Sequence, residues 1–151
     1  MTSGDNSTKL AVVQRLFEAM NDHDLDALGR CFAPDVRSEQ PFHPDRAFRG
    51  RERVRKNWAA IFQHVPDFRA ELCRPASAGD EVWIELYGHG TRIQDGEQIE
   101  ARGVMILEIE GEQITRSRVF TEPIHQRRGG LSDMVKELYH RQSRRARVLA
   151  R

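Results

Sequence analysis

The segment over residues 82–123 constrains the fold of this 151-residue chain most, because it reads as three strands joined by tight turns. Its first run alternates apolar and polar side chains, which is typical of a strand that buries one face. The pattern predicts an antiparallel meander covered by the helices that precede it, and such a curved sheet is expected to enclose a cavity for a ligand. The runs are residues 82–91, 101–110 and 113–121, with turns at Asp95-Gly96 and at Gly111.

Helical patterns account for most of the chain before the meander. Residues 9–21 carry apolar side chains at helical spacing behind Thr8, which is a possible N-cap. Asp24 can cap a short second helix whose apolar face includes Phe32. A third helix is predicted over residues 51–64. Short strands are predicted before and after it, over residues 36–42 and 68–74.

The length and the charge distribution predict one domain with a basic extension. Residues 1–8 are expected to form a disordered leader, and residues 9–125 the domain. Residues 126–151 are expected to form a linker and a helix from Ser132. In this whole segment Lys and Arg exceed Asp and Glu by six. Since this extension has one aromatic residue and no stacking pattern, a helix lying on the acidic body is favoured over a nucleic-acid partner.

The composition is that of an ordinary globular domain and argues against several other kinds of protein. No apolar run approaches the about 20 residues that span a membrane, and no signal sequence is recognisable, so a cytoplasmic location is expected. Cys31 and Cys73 lack metal or redox spacing and are interpreted as small buried residues. Neither a metal nor a cofactor is expected, because the histidines are scattered and no glycine-rich phosphate loop occurs; His43 with Glu39 is the alternative for a metal.

Three stretches of the chain resemble the NTF2-like superfamily, whose members have a cone-shaped α+β fold. Residues 13–26 resemble the first helix of that fold and its exit, residues 32–36 the segment that follows, and residues 49–55 the start of the third helix. Within the superfamily the chain looks most like the SnoaL-like branch of polyketide cyclases. The resemblance implies a curved mixed or antiparallel sheet wrapped by three N-terminal helices, with an extra C-terminal helix, a pocket and a homodimer formed through the sheet.

A more distant similarity to ketosteroid isomerase implies that its mechanism is not used. The alignment places the three catalytic positions of that enzyme at Leu16, Gln40 and Met105. Leucine and methionine lack the required hydrogen-bond donors, and glutamine cannot act as a base at neutral pH. The three residues are therefore expected to contact a ligand in the pocket without catalysing a reaction.

Strand alternation divides residues 115–122 into two faces. One face carries Arg116, Arg118, Phe120 and Glu122, and by comparison with the superfamily it is expected to face the cavity. The opposite parity would place these residues on the outer face of the sheet, as surface or interface groups. The residues expected to contact a ligand are Leu16, Gln40, Trp58, Phe62, Met105, Arg116 and Phe120, although Trp58 and Phe62 can equally be core residues.

Acid–base chemistry would depend on three polar residues. Glu122 or His43 could act as a general base, and Arg118 could steady an anionic intermediate. The alternative is a structural ion pair between Arg118 and Glu122, with His43 a surface residue. The hypotheses are thus a SnoaL-like pocket protein that binds a small, largely apolar carbonyl compound, with possible isomerase, cyclase or hydrolase chemistry, or a non-catalytic binding or dimerisation domain.

A second polar group is expected on the outer face of the sheet. Glu85 and His89 share a strand face with Trp83 and Tyr87, and Arg102 is a possible cross-strand partner of Glu85. A half-polar outer face is favoured over a catalytic dyad. Trp83 and Tyr87 would then be anchors of an interface between two copies of the chain.

Overall fold

The α+β class is confirmed by a computed structural model that describes residues 3–124, 130–132 and 135–136. The meander and both of its turns lie where the alternation predicts them. The elements in chain order are α1 (Ser3–Asp22), α2 (Leu25–Arg30), β1 (Phe32–Glu39), a 3-10 turn (Pro44–Arg46), β2 (Phe48–Arg49), α3 (Arg51–His64), β3 (Arg69–Ala78), β4 (Glu81–Thr91), β5 (Gln98–Glu110) and β6 (Gln113–Pro123).

One mixed sheet of six strands forms the frame of the molecule, in the order β2-β1-β6-β5-β4-β3. All neighbouring strands are antiparallel except β1 and β6, which run parallel. Gly96 and Gly111 occupy the two turns with positive φ angles of 71° and 59°, a conformation that glycine adopts without steric cost. In the described part of the chain, no helix has the length and apolarity that a membrane crossing requires.

The core lies between the helices and the concave face of the sheet. Leu16 and Met20 of α1, with Leu28 of α2, are almost completely buried, as are Ile84 of β4 and Leu107 of β5. Burying each of these side chains contributes about 1.5–3 kcal/mol to folding. Within the described residues, α1, α2 and α3 therefore cover one face of the sheet and leave the other face open.

Helix α1 begins at Ser3, so the prediction of a disordered leader over residues 1–8 is wrong from Ser3 onward. Thr8 lies inside the helix and donates a hydrogen bond to the Gly4 carbonyl at 3.1 Å, and it is not an N-cap. The Lys9 side chain explains why α1 begins before residue 9, the predicted start of this helix. This side chain is almost fully buried and binds both Asp5 and the Gly79 carbonyl at 3.1 Å, which anchors the start of α1 to the β3–β4 turn.

The capping residue of α2 and the bounds of α3 were predicted correctly from local sequence patterns. Asp24 caps α2 as predicted, because its Oδ1 accepts a hydrogen bond from the Ala27 amide at 2.9 Å. Helix α3 has the predicted bounds. Phe32, however, is the first residue of β1 and pairs with Ile114 of β6. Its place was missed because a parallel strand partner about 80 residues away leaves no local signal.

Two further expectations differ from the structure or lie outside it. Strand β3 continues to Ala78, beyond the predicted end at residue 74, because it pairs with β4 along the whole hairpin. Cys31 is buried as expected, which raises the pKa of its thiol, whereas Cys73 is exposed on the edge strand β3. The linker and the basic C-terminal helix lie almost entirely outside the described residues.

Candidate ligand cavity

Strand β6 turns Ser117, Val119 and Thr121 toward the helices, so the expected parity of this strand is wrong. Val119 pairs with Met105 of β5, whose side chain faces the core, and Ser117 is only 3% exposed. Both faces of β6 carry a mixture of apolar and polar residues, so alternation defines the two sets without showing which one the helices cover.

A cavity of about 310 Å³ lies between α3 and the concave face of the sheet. Most of its wall is apolar or aromatic, and the polar side chains in it are uncharged. None of its lining residues carries an acidic, basic, histidine, cysteine or tyrosine side chain. The lining residues are Phe32, Ser38, Gln40, Phe48, Val54, Asn57, Trp58, Ile61, Phe68, Leu86, Gly88, Ala101, Met105, Ser117, Val119 and Thr121.

Three of the residues expected to contact a ligand line this cavity, namely Gln40, Trp58 and Met105. Trp58 forms one aromatic wall, with its ring edge-on to Phe68 at a centroid distance of 5.5 Å. Leu16 lies in the core and Phe62 stacks on the ring of His23 at 4.2 Å, so neither is a lining residue. Arg116 and Phe120 lie on the opposite face of β6.

Two serines that the sequence reasoning did not single out meet at the cavity wall. Ser38 of β1 and Ser117 of β6 are register partners in the parallel pair, and their hydroxyl oxygens are 3.0 Å apart. Gln40 directly follows the end of β1 and also lines the cavity, and its Oε1 accepts a hydrogen bond from Arg46 at 3.5 Å. Ser117 is flanked by Arg116 and Arg118 in the sequence, so the local pattern carries no signal that marks it as an inward polar position.

The arginines of β6 are paired on the outer face of the sheet. Arg116 lies between Glu39 and Glu108, with nitrogen–oxygen distances of 3.1 Å to each. Hydrogen bonds to Glu39, and then to Glu108, raise the pKa of Arg116. Arg118 binds Glu81 at 2.5 Å, so the predicted Arg118–Glu122 ion pair does not form. These arginines therefore contribute to the outer face and do not line the cavity.

The structure brings together two of the three residues considered for acid–base chemistry. His43 Nε2 is 3.0 Å from Glu122 Oε1, in a contact between the β1–β2 loop and the end of β6. Phe42 packs edge-on against Phe120 beside this contact, with a centroid distance of 5.6 Å. Neither His43 nor Glu122 is a lining residue of the cavity, and both are partly exposed.

The polar residues of β4 lie on the outer face, as the sequence favours. Glu85 contacts Arg102 at 3.9 Å, which confirms the predicted cross-strand partner. The Arg102 guanidinium lies 5.0 Å from the Tyr87 ring centroid, and the His89 ring stacks on the Tyr87 ring at a centroid distance of 5.1 Å. The Tyr87 hydroxyl donates to Glu100, and this hydrogen bond raises the pKa of Tyr87.

No arrangement of ligands for a metal is found in the described ranges of the chain. Groups of three or more His, Cys, Asp or Glu side chains that could hold an ion do not occur among those residues. Glu39, considered with His43 as a metal site, binds Arg116. The chemistry that the cavity itself can provide is therefore burial of apolar surface and hydrogen bonding to uncharged groups.

Comparison with known proteins identifies relatives of this architecture. The family model described as a SnoaL-like domain matches residues 13–117. The structure of a protein from Jannaschia sp. that is assigned as a SnoaL-like polyketide cyclase is 21% identical, with a TM-score of 0.67, and the match covers 77% of this chain and 86% of that one. No curated protein sequence matches this chain significantly.

Two other solved structures have the same fold. A hypothetical protein from Catenulispora acidiphila with a ketosteroid isomerase-like fold, solved in complex with trimethylamine, is 21% identical with a TM-score of 0.64, over 76% of this chain and 84% of that one. A protein from Kribbella flavida assigned as a ketosteroid isomerase is 18% identical with a TM-score of 0.63, over 82% and 84% of the two chains. At these identities the likeness establishes the fold, and function has to be argued from the site.

Proposed function

Because the chain belongs to the SnoaL-like domain family, we propose that its cavity binds a small, largely apolar, uncharged molecule such as a carbonyl compound. The observation that carries this proposal is the lining of the cavity, which is mostly apolar and contains no titratable side chain. A cavity of about 310 Å³ is at the lower end of the range of small-molecule sites. The relative solved with trimethylamine supports the idea that cones of this fold hold small molecules.

Binding without chemistry fits this cavity better than acid–base catalysis inside it. A general base must lie within hydrogen-bond reach of the proton that it removes, and serine, threonine, glutamine and asparagine do not act as bases at neutral pH without a partner. The polar lining residues are of these four types. They can orient a ligand by hydrogen bonds while the aromatic wall buries its apolar part.

The experiment that tests the cavity uses prodan, an uncharged naphthalene ketone whose fluorescence shifts to the blue in apolar surroundings. The wild type is expected to bind prodan with a blue shift, and Val119→Trp is expected to lose binding because the indole fills the space beside Met105. Val104→Trp is the matched control, since Val104 pairs with Phe120 and lies on the outer face of the adjacent strand. Circular dichroism establishes that both variants fold.

Equal binding by the wild type and a folded Val119→Trp variant would show that the probe binds elsewhere, and the proposal would be abandoned. Loss of binding in Val104→Trp alone would likewise place the site on the outer face.

A second candidate function rests on the contact between His43 and Glu122. Glu122 holds one ring nitrogen of His43 at 3.0 Å, which orients the ring and leaves Nδ1 to take a proton from a carbon acid at the rim. This is the acid–base isomerase or cyclase hypothesis, with its base outside the cavity. It is tested below by proton exchange.

We also propose that the open face of the sheet forms a homodimer interface. Trp83 is 44% exposed and Phe42, which packs against Phe120 on this face, is 64% exposed. Aromatic residues and arginine are the groups that concentrate binding energy at interfaces. The cytoplasmic location stays a prediction.

A further inference from the structure

We propose that the Ser38–Ser117 hydroxyl pair and the Gln40 amide form a donor site that selects ligands with an uncharged oxygen acceptor and rejects carboxylates. The ligand class is a ketone, ester or amide with an apolar body. This inference rests on the proposed function, since it assigns the recognition group within the same cavity. It adds which wall of the cavity binds the oxygen of the ligand, and that this wall distinguishes uncharged ligands from carboxylates.

The first part of the argument is the number of protons in the serine pair. The two hydroxyl oxygens are 3.0 Å apart, so one proton lies between them, whichever serine donates it. The second proton is then left over. Both serines line the cavity and are less than 9% exposed to solvent, so the remaining proton can be donated to a molecule in the cavity.

The second part concerns the orientation of the Gln40 amide. Arg46 can only donate hydrogen bonds, so the Gln40 atom that faces it at 3.5 Å must be the amide oxygen. The amide NH₂ group is then the part of Gln40 that is left for the cavity, which Gln40 lines. Gln40 directly follows the end of β1, two positions after Ser38, and both residues line the cavity.

The third part is the asymmetry of the cavity wall. Ser38, Ser117 and Thr121 come from the paired strands β1 and β6, and Gln40 follows the end of β1. The side chains from α3 and from β4 are mostly aromatic or aliphatic, such as Trp58 and Leu86, with Asn57 as the polar residue of α3. A molecule with an apolar body and one oxygen can therefore satisfy both sides at once, with the oxygen toward β1. A hydrocarbon of the same shape leaves the donors without an acceptor, which weakens its binding.

Carboxylates are rejected because the cavity offers no compensating charge. None of its lining residues is Lys, Arg or His. The nearby guanidinium of Arg46 is exposed and already donates to Gln40. The free-energy cost of transferring an ionised carboxylate from water into such a site exceeds the free energy that hydrogen bonds from hydroxyl and amide donors contribute.

The experiment compares three probes of matched shape: 2-acetylnaphthalene, 2-ethylnaphthalene and 2-naphthoate. Their dissociation constants are measured at pH 7 by competition with prodan. The ketone is expected to bind about 3- to 10-fold more tightly than the hydrocarbon, which is the usual value of one net hydrogen bond. The naphthoate is expected to bind about 100-fold more weakly than the ketone.

Variants assign the effect to the serine pair. In the double variant Ser38→Ala/Ser117→Ala the preference for the ketone over the hydrocarbon is expected to fall to the part that the Gln40 amide contributes, while the hydrocarbon binds as it does to the wild type. Because the two hydroxyls are removed together, no buried hydroxyl loses its hydrogen-bond partner, so the variant is expected to fold. Ser77→Ala is the control, because Ser77 is exposed on β3 and does not line the cavity.

The outcomes distinguish the failure of the donor site from the failure of the proposed binding function. Equal affinity for ketone and hydrocarbon in the wild type, or a ketone preference that the double variant leaves undiminished, overturns the donor site and leaves apolar binding in place. Tight binding of the naphthoate overturns the restriction to uncharged ligands. Failure of prodan and all three probes to bind overturns the proposed function itself.

Discussion

His43 and Glu122 are the residues from which chemistry would have to arise, since they contact each other at 3.0 Å and no lining residue of the cavity can take a proton. Each was considered as a base, and His43 was among the possible partners of the charged residues of β6. The β1–β2 loop and the end of β6 are about 80 residues apart in the chain, and only the fold brings them together.

Proton exchange tests these two residues without a known substrate. If His43 is a general base, the protein accelerates exchange of the methyl protons of 2-acetylnaphthalene in D₂O, which is followed by proton NMR. His43→Ala and Glu122→Gln are then expected to slow this exchange by about 100- to 10,000-fold, the usual effect of one acid–base group.

The control for this measurement is His64→Ala, because His64 is exposed at the end of α3. Exchange at the rate of buffer alone in the wild type, or an unchanged rate in both variants, contradicts the acid–base hypothesis and leaves binding as the function.

At the scale of elements, β5 and β6 approach each other closely at Gly103. Gly103 pairs with Thr121, and a Cβ atom at Gly103 would lie 2.1 Å from the Phe120 carbonyl oxygen and 2.7 Å from the Thr121 Cα. These are backbone atoms, which cannot move aside as a flexible side chain can. Glycine is therefore required where the two strands come together on the concave side.

Gly103→Ala is expected to lower the free energy of unfolding by about 3 kcal/mol or more, because β5 and β6 must separate to admit the methyl group. Urea denaturation followed by circular dichroism measures this change. Gly4→Ala is the matched control, since Gly4 lies in α1 with open space around it and alanine favours a helix. Wild-type stability of Gly103→Ala would mean that the close approach of the strands is not needed.

The whole molecule presents a covered face and an open face of one sheet. The open face combines exposed aromatic residues with rows of ion pairs, such as those of Arg116 and Arg118. A dimer with twofold symmetry brings the same patch of both copies together, so each exposed Trp83 is expected to bury itself against the partner.

Trp83→Arg is expected to weaken the dimer by about 30-fold or more, the effect of losing an interface hot spot. Size-exclusion chromatography with light scattering over a dilution series measures the dissociation constant. Ile93→Arg is the matched control, because Ile93 is 63% exposed in the β4–β5 turn, away from the open face. A wild type that is monomeric at about 100 µM, or a Trp83→Arg dimer as tight as the wild type, argues against this interface.

What the sequence determined by itself is the set of features that depend on neighbouring residues. The bounds of α3, the Asp24 cap and the glycine turns of the meander follow from helical spacing, side-chain capping and backbone freedom, all of which act within a few residues. The resemblance of three short stretches indicated the same α+β architecture, which the SnoaL-like family model and the solved relatives confirm.

Only the tertiary structure decided which face of β6 lines the cavity and where α1 begins. The start of α1 depends on the contact of Lys9 with the Gly79 carbonyl, 70 residues away. Alternation has a period of two and is unchanged when the two faces are exchanged, so it cannot distinguish the covered face from the open one. That choice is made by the helices that pack against the sheet, and it turned Ser117 inward and Arg118 outward.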